Sequence, residues 1–199
     1  MLIKVKDIRA EVYSRRAALS EHAQKGAAAQ LFRQIDESGL LEDHQRIAFY
    51  WPSRGEISAS LLLEHAVKLG KDCYIPVLEH SGDNWLHFAP FHSNAELQTN
   101  RYGIPEPLHS HEQLLPAEQL DLVFVPLVTF DDKGNRMGMG KGYYDRTFEF
   151  LRAPRAARGP LLVGLAHQFQ HIPELNPQPW DVPLAMAYTE KTHYDFRRR

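Results

Sequence analysis

The strongest strand signal in this chain is the run Leu120-Asp121-Leu122-Val123-Phe124-Val125-Pro126-Leu127-Val128. Its nearly continuous apolar character predicts a central parallel strand that is covered on both faces. A glycine-rich loop follows, then helical spacing over residues 142–152 and a further apolar strand over residues 161–166. Strands that alternate with helices through short connections favour an α/β sandwich with a mostly parallel sheet. Ligands of such sheets gather at the carboxyl ends of the strands, which is where the glycine-rich loop begins.

The sequence before this run alternates in the same way. Ser20 is a suitable N-cap, and Gly39 and Gly70 are suitable helix stops. Residues 90–116 are rich in proline and histidine and have little periodicity, which is typical of a loop that is functional or covers a site. The spacing of apolar residues predicts helices over 1–19, 20–37 and 58–69 and strands over 46–51, 72–77 and 85–89, the last paired antiparallel with its predecessor.

Length and composition fit one domain over residues 1–199, with 43% hydrophobic and 24% charged residues. The formal net charge of −2 argues against a general nucleic-acid binder. The single cysteine, Cys73, cannot close an intrachain disulfide, and its apolar surroundings predict a buried strand residue rather than a nucleophile. The first 20 residues contain no unbroken apolar core, and no later segment has the length of a membrane span. We therefore expect a cytoplasmic protein without membrane or nucleic-acid partners.

The loop after the central run has the features of a phosphate-binding site. Gly138, Gly140 and Gly142 alternate, so backbone N–H groups can approach an anion closely and form a concavity around it. A helix start follows, and Arg136 and Lys141 add positive charge. The spacing is neither that of a Walker loop nor that of the dinucleotide fingerprint. A tight structural turn with a solvated lysine is the alternative interpretation of the same residues.

Asp145 lies a few residues into the predicted helix. A carboxylate at this position suits Mg²⁺, which prefers one or two carboxylates together with phosphate oxygens. It equally suits an aspartate that interacts with the helix dipole. The local sequence leaves both interpretations open.

Several segments resemble, in order, the 5-formyltetrahydrofolate cyclo-ligase family, whose members are also called methenyltetrahydrofolate synthetases. The similarity extends over essentially the whole chain and includes the glycine loop itself. The matching segments are residues 49–57 (Phe-Tyr-Trp-Pro-Ser-Arg-Gly-Glu-Ile), 102–107 (Tyr-Gly-Ile-Pro-Glu-Pro), 127–131 with 134–146, 163–167 (Val-Gly-Leu-Ala-His) and 180–184 (Trp-Asp-Val-Pro-Leu).

The resemblance implies a three-layer α/β fold and a reaction in which ATP drives conversion of 5-formyltetrahydrofolate to 5,10-methenyltetrahydrofolate, with Mg²⁺ as cofactor. It implies Asp145 and Asp181 as metal ligands and Arg136 and Lys141 as catalytic charges. It also implies ATP contacts from Lys6, Arg9, Arg136, Met137, Gly138, Met139, Gly140, Lys141, Gly142, Tyr143 and Tyr144. The implied folate contacts are Trp51, Glu56, Met139, Gly140, Lys141, Gly142 and Tyr143.

Two other functions are compatible with the loop alone. One is an ATP-dependent enzyme that acts on another small acid or amide, and the other is an ATP- or folate-binding module without catalysis. The histidine pairs His109/His111 and His167/His171 have ligand-like spacing, but no cysteine or carboxylate pattern supports a zinc site. We expect small-molecule substrates and a monomer or weak homo-oligomer.

Overall fold

The computed structural model describes residues 5–78, 85–100, 103–153 and 159–197. Its α-helices are α1 (Val5–Ala17), α2 (Glu21–Glu37), α3 (Ser60–Lys68) and α4 (Tyr143–Thr147). Short 3₁₀ turns cover His111–Gln113, Ala117–Gln119, Glu149–Arg152 and Gln168–Gln170. The strands are β1 (Arg46–Ala48), β2 (Asp72–Val77), β3 (His87–Phe91), β4 (Leu97–Thr99), β5 (Pro105–Pro107), β6 (Leu122–Pro126), β7 (Thr129–Phe130), β8 (Arg136–Met137), β9 (Leu161–Leu165), β10 (Met186–Tyr188) and β11 (His193–Asp195).

The main sheet of the described residues has seven strands in the order β11-β10-β9-β6-β1-β2-β3. The five inner strands pair parallel with one another, and the edge strands β3 and β11 pair antiparallel. The pairs β4–β5 and β7–β8 form two small separate ribbons. The prediction of a mostly parallel sheet flanked by helices is confirmed.

β6 lies between β1 and β9, and its side chains enter both hydrophobic cores. Leu122 and Phe124 belong to the core under α2 and α3, whereas Val123 and Val125 belong to the core on the opposite face. All four side chains are at most 1% exposed. Because neither face of β6 meets water, the strand reads as a continuous apolar run instead of an alternating one.

Helix α2 begins and ends at the predicted residues, whereas α3 begins at Ser60, two residues later than predicted. Ser20 caps α2, its hydroxyl accepting a hydrogen bond from the Ala23 N–H at 3.2 Å. Gly39 and Gly70 follow α2 and α3 with a φ of 71° each, a left-handed conformation that favours glycine. No helix in the described part of the chain is both long enough and apolar enough to cross a membrane.

Several boundaries predicted from the sequence are wrong. The helix expected over residues 142–152 ends at Thr147, because the backbone leaves helical geometry at Phe148 (φ −107°) and a 3₁₀ turn follows. The strand expected over 46–51 ends at Ala48. Residues 90–116, expected to be a loop, contain the β4–β5 ribbon. Residues 1–4 of the first predicted helix lie outside the described residues.

Cys73 is a buried residue of β2, as expected. Burial raises the pKa of its thiol from 9.0 to about 12, with a smaller contribution from the charge of Asp72. The thiolate, which is the nucleophilic form, is therefore scarce at neutral pH.

The burial of β6 predicts a large effect of truncation there. We expect Leu122→Ala to lower the free energy of unfolding by about 2–5 kcal/mol, because it leaves a cavity in a closed core. Leu97→Ala removes the same atoms from a strand leucine that is 47% exposed, and should cost less than about 0.5 kcal/mol. Urea unfolding of both variants measures the difference, and equal losses would contradict the central position of β6.

Candidate active site

The glycine loop connects the β7–β8 ribbon to α4 at the carboxyl end of β6. The Val128 N–H donates to the Met137 carbonyl at 2.7 Å, which fastens the start of the loop to the end of the central strand. Gly140 and Gly142 have φ values of 95° and 68°, whereas Gly138 has no positive φ. The loop therefore needs glycine at two of the three alternating positions for backbone reasons.

Helix α1 lies against this loop through Arg9. The Arg9 Nε donates to the Gly138 carbonyl at 3.0 Å. A Cβ atom built at Gly140 would come within 3.2 Å of Arg9 Nη2. Lys6 is exposed and lies three residues earlier, about one helical turn before Arg9. Both predicted N-terminal ATP contacts thus belong to the helix that covers the loop.

The two predicted catalytic cations differ in their surroundings. Lys141 is exposed, and its backbone carbonyl accepts a hydrogen bond from Arg146 Nη2 at 2.7 Å. Arg136 has a side chain only 3% exposed, and its Nη2 lies 2.7 Å from Asp145 Oδ1. Its Nε is buried without a hydrogen-bond partner among the described residues. Arg136 is therefore already paired with a carboxylate, while Lys141 faces solvent.

Asp145 also contacts the segment that carries Asp181. The Val182 N–H donates to Asp145 Oδ1 at 3.2 Å, so α4 and residues 181–182 meet at this carboxylate. Both contacts of Asp145 use Oδ1, and within the described residues no hydrogen bond reaches Oδ2. Asp181 Oδ2 accepts from the Gln178 N–H at 2.8 Å. Two carboxylates on neighbouring segments, each with one oxygen that no hydrogen bond reaches within the described residues, fit the ligand preference of Mg²⁺.

The predicted folate contact Glu56 is buried, with 6% of the residue exposed. It ends a tight turn in which Arg54 and Gly55 have φ values of 48° and 71°. The Ser53 N–H donates to Glu56 Oε2 at 3.0 Å. Burial raises the pKa of Glu56, and this effect is opposed by the Ser53 hydrogen bonds and by the positive charge of Arg16.

Trp51 is half-buried beside this turn. Its ring meets Phe91 edge-on, with centroids 5.7 Å apart. Its Nε1 is buried and has no hydrogen-bond partner in the described ranges. A buried indole N–H normally has a hydrogen-bond acceptor. The Trp51 N–H is therefore available to an acceptor on a bound ligand.

Tyr144 links the glycine loop to Glu56. Arg136 Cζ lies 5.9 Å from the centre of its ring. Burial first, and the negative charge of Glu56 second, raise the pKa of Tyr144 well above its usual value, while Arg136 opposes the shift. The phenol is thus within electrostatic reach of both the loop arginine and the buried carboxylate, and the two halves of the predicted site lie together.

Two groups in this region were not predicted from the sequence. Arg16 is buried against Glu56, and Gln170 donates to the Leu127 and Val128 carbonyls at 2.8 and 2.9 Å. A signal for Arg16 was present, because its spacing of seven residues from Arg9 places both side chains on one face of a helix. Gln170 lies after β9 and carries no motif that would identify it.

The histidines of the second predicted pair make contacts within the protein. His167 Nε2 lies 3.3 Å from the Gly55 carbonyl, and His171 Nε2 lies 2.8 Å from Asp132 Oδ1. In the described part of the chain, one set of side chains has ligand atoms close enough together to hold a metal ion: Asp36, Glu42 and His65. Glu42 precedes the start of β1, so this set lies near the amino ends of the parallel strands, whereas the glycine loop lies at their carboxyl ends.

A cavity of about 680 Å³ lies beside α4. It is lined by residues 85–87, 111, 114–118, 146–147 and 149–150, and by none of the predicted site residues. The convergence of charged groups at the glycine loop is therefore better evidence for the site than the size of this cavity.

Known proteins with similar sequences point to one family. Residues 3–190 match the model of the 5-formyltetrahydrofolate cyclo-ligase family. A 5-formyltetrahydrofolate cyclo-ligase from Haemophilus influenzae is 36% identical over 91% of this chain and 95% of its own. One from Escherichia coli K12 is 33% identical over 88% of this chain and 93% of its own. The structure of a 5,10-methenyltetrahydrofolate synthetase from Aquifex aeolicus is similar with a TM-score of 0.81 and 29% identity, covering 98% of this chain and 93% of that one.

The loop geometry predicts unequal effects of two alanine substitutions. Gly140→Ala forces an unfavourable φ and brings a methyl group against Arg9, so we expect it to weaken ATP binding by about tenfold or more. Gly138→Ala adds a methyl group that meets nothing within 4 Å, and its effect should be smaller. Calorimetric titration with a non-hydrolysable ATP analogue compares them, and equal losses would contradict a specific role for the Gly140 conformation.

Proposed function

The chain belongs to the 5-formyltetrahydrofolate cyclo-ligase family, and we propose that it converts 5-formyltetrahydrofolate and ATP to 5,10-methenyltetrahydrofolate, ADP and phosphate. The observation that carries this proposal is the junction at Tyr144. The Tyr144 ring lies 5.9 Å from Arg136 Cζ of the glycine loop, which suits a nucleotide, and its pKa is raised by the charge of the buried Glu56, which suits a heterocycle with paired N–H donors. A site of this kind can hold both substrates with their reacting atoms close together.

The reaction has two bond-making steps. The formyl oxygen of 5-formyltetrahydrofolate attacks the γ-phosphorus of ATP, the bond to ADP breaks, and the formyl carbon becomes strongly electrophilic. The neighbouring side-chain nitrogen of the folate then attacks that carbon and loses its proton. The carbon–oxygen bond breaks, phosphate leaves, and the positive charge is shared between the two nitrogens of the new ring. An amide is a poor electrophile, so the phosphoryl transfer is what makes ring closure possible.

The protein contributes mainly position and charge, as phosphoryl transfer requires. Lys6, Arg9 and the loop from Arg136 to Tyr144 would hold the triphosphate, with the backbone N–H groups near Gly140 forming the concavity. Lys141 would meet the charge that develops on the transferred group, because it is the exposed loop lysine. Arg136, paired with Asp145, would hold that carboxylate in place and act on the phosphates from a greater distance.

Mg²⁺ would be held by Asp145 and Asp181, and it would neutralise charge on the phosphate oxygens. The unengaged Oδ2 of Asp145 supports this assignment, since the Arg136 pair and the Val182 N–H both use Oδ1. Trp51 and Glu56 would contact the pterin. The carboxylate would accept hydrogen bonds from pterin N–H groups, and the unpartnered Trp51 N–H would donate to an acceptor of the ligand.

A direct assay tests the function. The purified protein is mixed with Mg-ATP and 5-formyltetrahydrofolate, and the near-ultraviolet absorbance of the methenyl product is followed. We expect one ADP per methenyl product, and no product when EDTA removes the divalent cation. Tight folate binding without product would indicate a binding module, and ATP turnover only with a different acceptor would indicate another small-molecule enzyme.

Lys141→Ala should lower kcat by about 100-fold or more while changing ATP affinity much less, because the ammonium is needed most where charge develops. Lys133→Ala is the matched control, since Lys133 is an exposed lysine of the β7–β8 turn that pairs with Glu174. Steady-state kinetics and ATP titrations of both variants provide the measurement. A Lys141→Ala enzyme that turns over at the original rate would refute the catalytic assignment.

A further inference from the structure

Helix α1 carries a second arginine that points toward the active-site region and is shielded from water. Arg16 is 2% exposed and lies seven residues, or about two turns, after Arg9. Its Nη2 donates to the Leu127 carbonyl, and its Nε donates to Gln170 Oε1 at 3.4 Å. Its Nη1 lies 3.9 Å from Glu56 Oε1. One guanidinium thus joins the end of the central strand, the turn after β9 and the predicted folate carboxylate.

The turn that carries Glu56 is packed directly on the backbone of α1. A Cβ atom at Gly55 would come within 2.8 Å of Arg16 Cβ and 3.3 Å of the Arg16 carbonyl carbon. Gln24 Nε2 of α2 donates to the Gly55 carbonyl at 3.3 Å, and His167 Nε2 lies 3.3 Å from the same oxygen. The turn therefore has little freedom to move relative to Arg16.

The charges of Arg16 and Glu56 are matched in a place where neither can be solvated. Their side chains are 1% and 4% exposed. Within the described residues Arg16 Nη1 has no hydrogen-bond partner, so Glu56 is the counter-charge that it faces. An isolated buried charge is costly, and removing one partner of a buried pair leaves the other uncompensated.

The other groups around the pair do not replace this contact. Arg54 also acts on Glu56, but it is exposed. Tyr50, whose hydroxyl donates to the Ile57 carbonyl at 2.7 Å, and Tyr144 face Glu56 as neutral phenols. Tyr13 and His167 face Arg16, and burial lowers the pKa of His167, which keeps that ring neutral. Arg16 is therefore the buried cation beside Glu56 in the described structure.

We propose that Arg16 is a positioning residue for folate recognition, which contacts no substrate but fixes the orientation and the charge of the Glu56 carboxylate where the pterin N–H groups meet it. This inference rests on the proposed role of Glu56 in the folate site. It also gives α1 two functions, since the helix that brings Arg9 to the nucleotide loop holds the folate carboxylate from its other end.

A double-mutant cycle tests the inference. Arg16→Met keeps the length of the side chain but removes the charge, and should raise the KM for 5-formyltetrahydrofolate by about tenfold or more, with changes in the KM for ATP and in kcat below about threefold. Glu56→Gln should raise the same KM. Adding Arg16→Met to Glu56→Gln should then change it by less than about twofold, because Arg16 acts through the charge that is already gone.

Arg15→Met is the matched control for the helix. Arg15 is the neighbouring arginine of α1, is half-exposed, and packs over the Phe169 ring at 4.4 Å. Its substitution should leave both KM values unchanged. Thermal unfolding of every variant shows whether it is folded. If Arg16→Met does not fold, the same cycle is built with Arg16→Lys, which keeps the charge but alters the donor geometry and should raise the folate KM only when Glu56 is present.

The outcomes separate this inference from the proposed function. Three results would overturn the positioning role alone. The first is that the two substitutions raise the folate KM independently, so that the double variant shows the product of the two increases. The others are equal increases in the KM values for ATP and folate, and an unchanged folate KM in the Arg16 variant. A folate KM that Glu56→Gln leaves unchanged would overturn the role of Glu56 and the inference with it. Absence of methenyl product from the unsubstituted enzyme would overturn both.

Discussion

The position of β6 between β1 and β9 sets the place of everything that the site contains. Its hydrogen bonds to two parallel neighbours fix its carboxyl end, and its side chains are buried in both cores. The Leu127 carbonyl just beyond it accepts hydrogen bonds from Arg16 and Gln170, and the Val128 N–H fastens the start of the glycine loop. A backbone that is anchored on both sides can hold the glycine loop in one place and can support a buried ion pair, which is costly when it is left incomplete.

The pairing of Arg136 with Asp145 distinguishes the predicted roles of Arg136 and Lys141. A cation bound to a carboxylate at 2.7 Å, with its side chain 3% exposed, has much of its charge compensated before any phosphate arrives. Asp145 is in turn held by this arginine and by the Val182 N–H, which leaves its other oxygen for a metal ion. Lys141 is exposed and can follow the phosphoryl group. This arrangement favours Lys141 as the cation that responds to the transition state and Arg136 as one that organises the metal-binding side.

The sequence was sufficient for the parts of the fold that depend on local signals. The Ser20 cap, the glycine stops of α2 and α3, and the apolar runs of β2, β6 and β9 each follow from a few adjacent residues. The three-residue strands β10 and β11 are too short to be predicted from an alternation of apolar and polar residues. They form because β10 pairs with β9 and β11 pairs with β10, and these contacts are not visible in the local sequence. The helix after the glycine loop was predicted too long, because no glycine, proline or other local stop signal marks Phe148, where the backbone changes to a 3₁₀ turn.

The site residues likewise differ in whether the local sequence is enough to identify them. Glycines, a lysine and an aspartate in one loop can be recognised from their spacing, and the family resemblance supplied Trp51, Glu56 and Asp181. In the sequence Arg16 is one of several charges on a basic helix, whereas in the structure it is buried, as is Val12 of the same helix. Two of its arginines make long-range polar contacts, Arg9 with the Gly138 carbonyl of the glycine loop and Arg16 with Glu56 and the Leu127 carbonyl. Helix α1 therefore makes a polar contact with each half of the predicted site, Arg9 with the Gly138 carbonyl and Arg16 with Glu56.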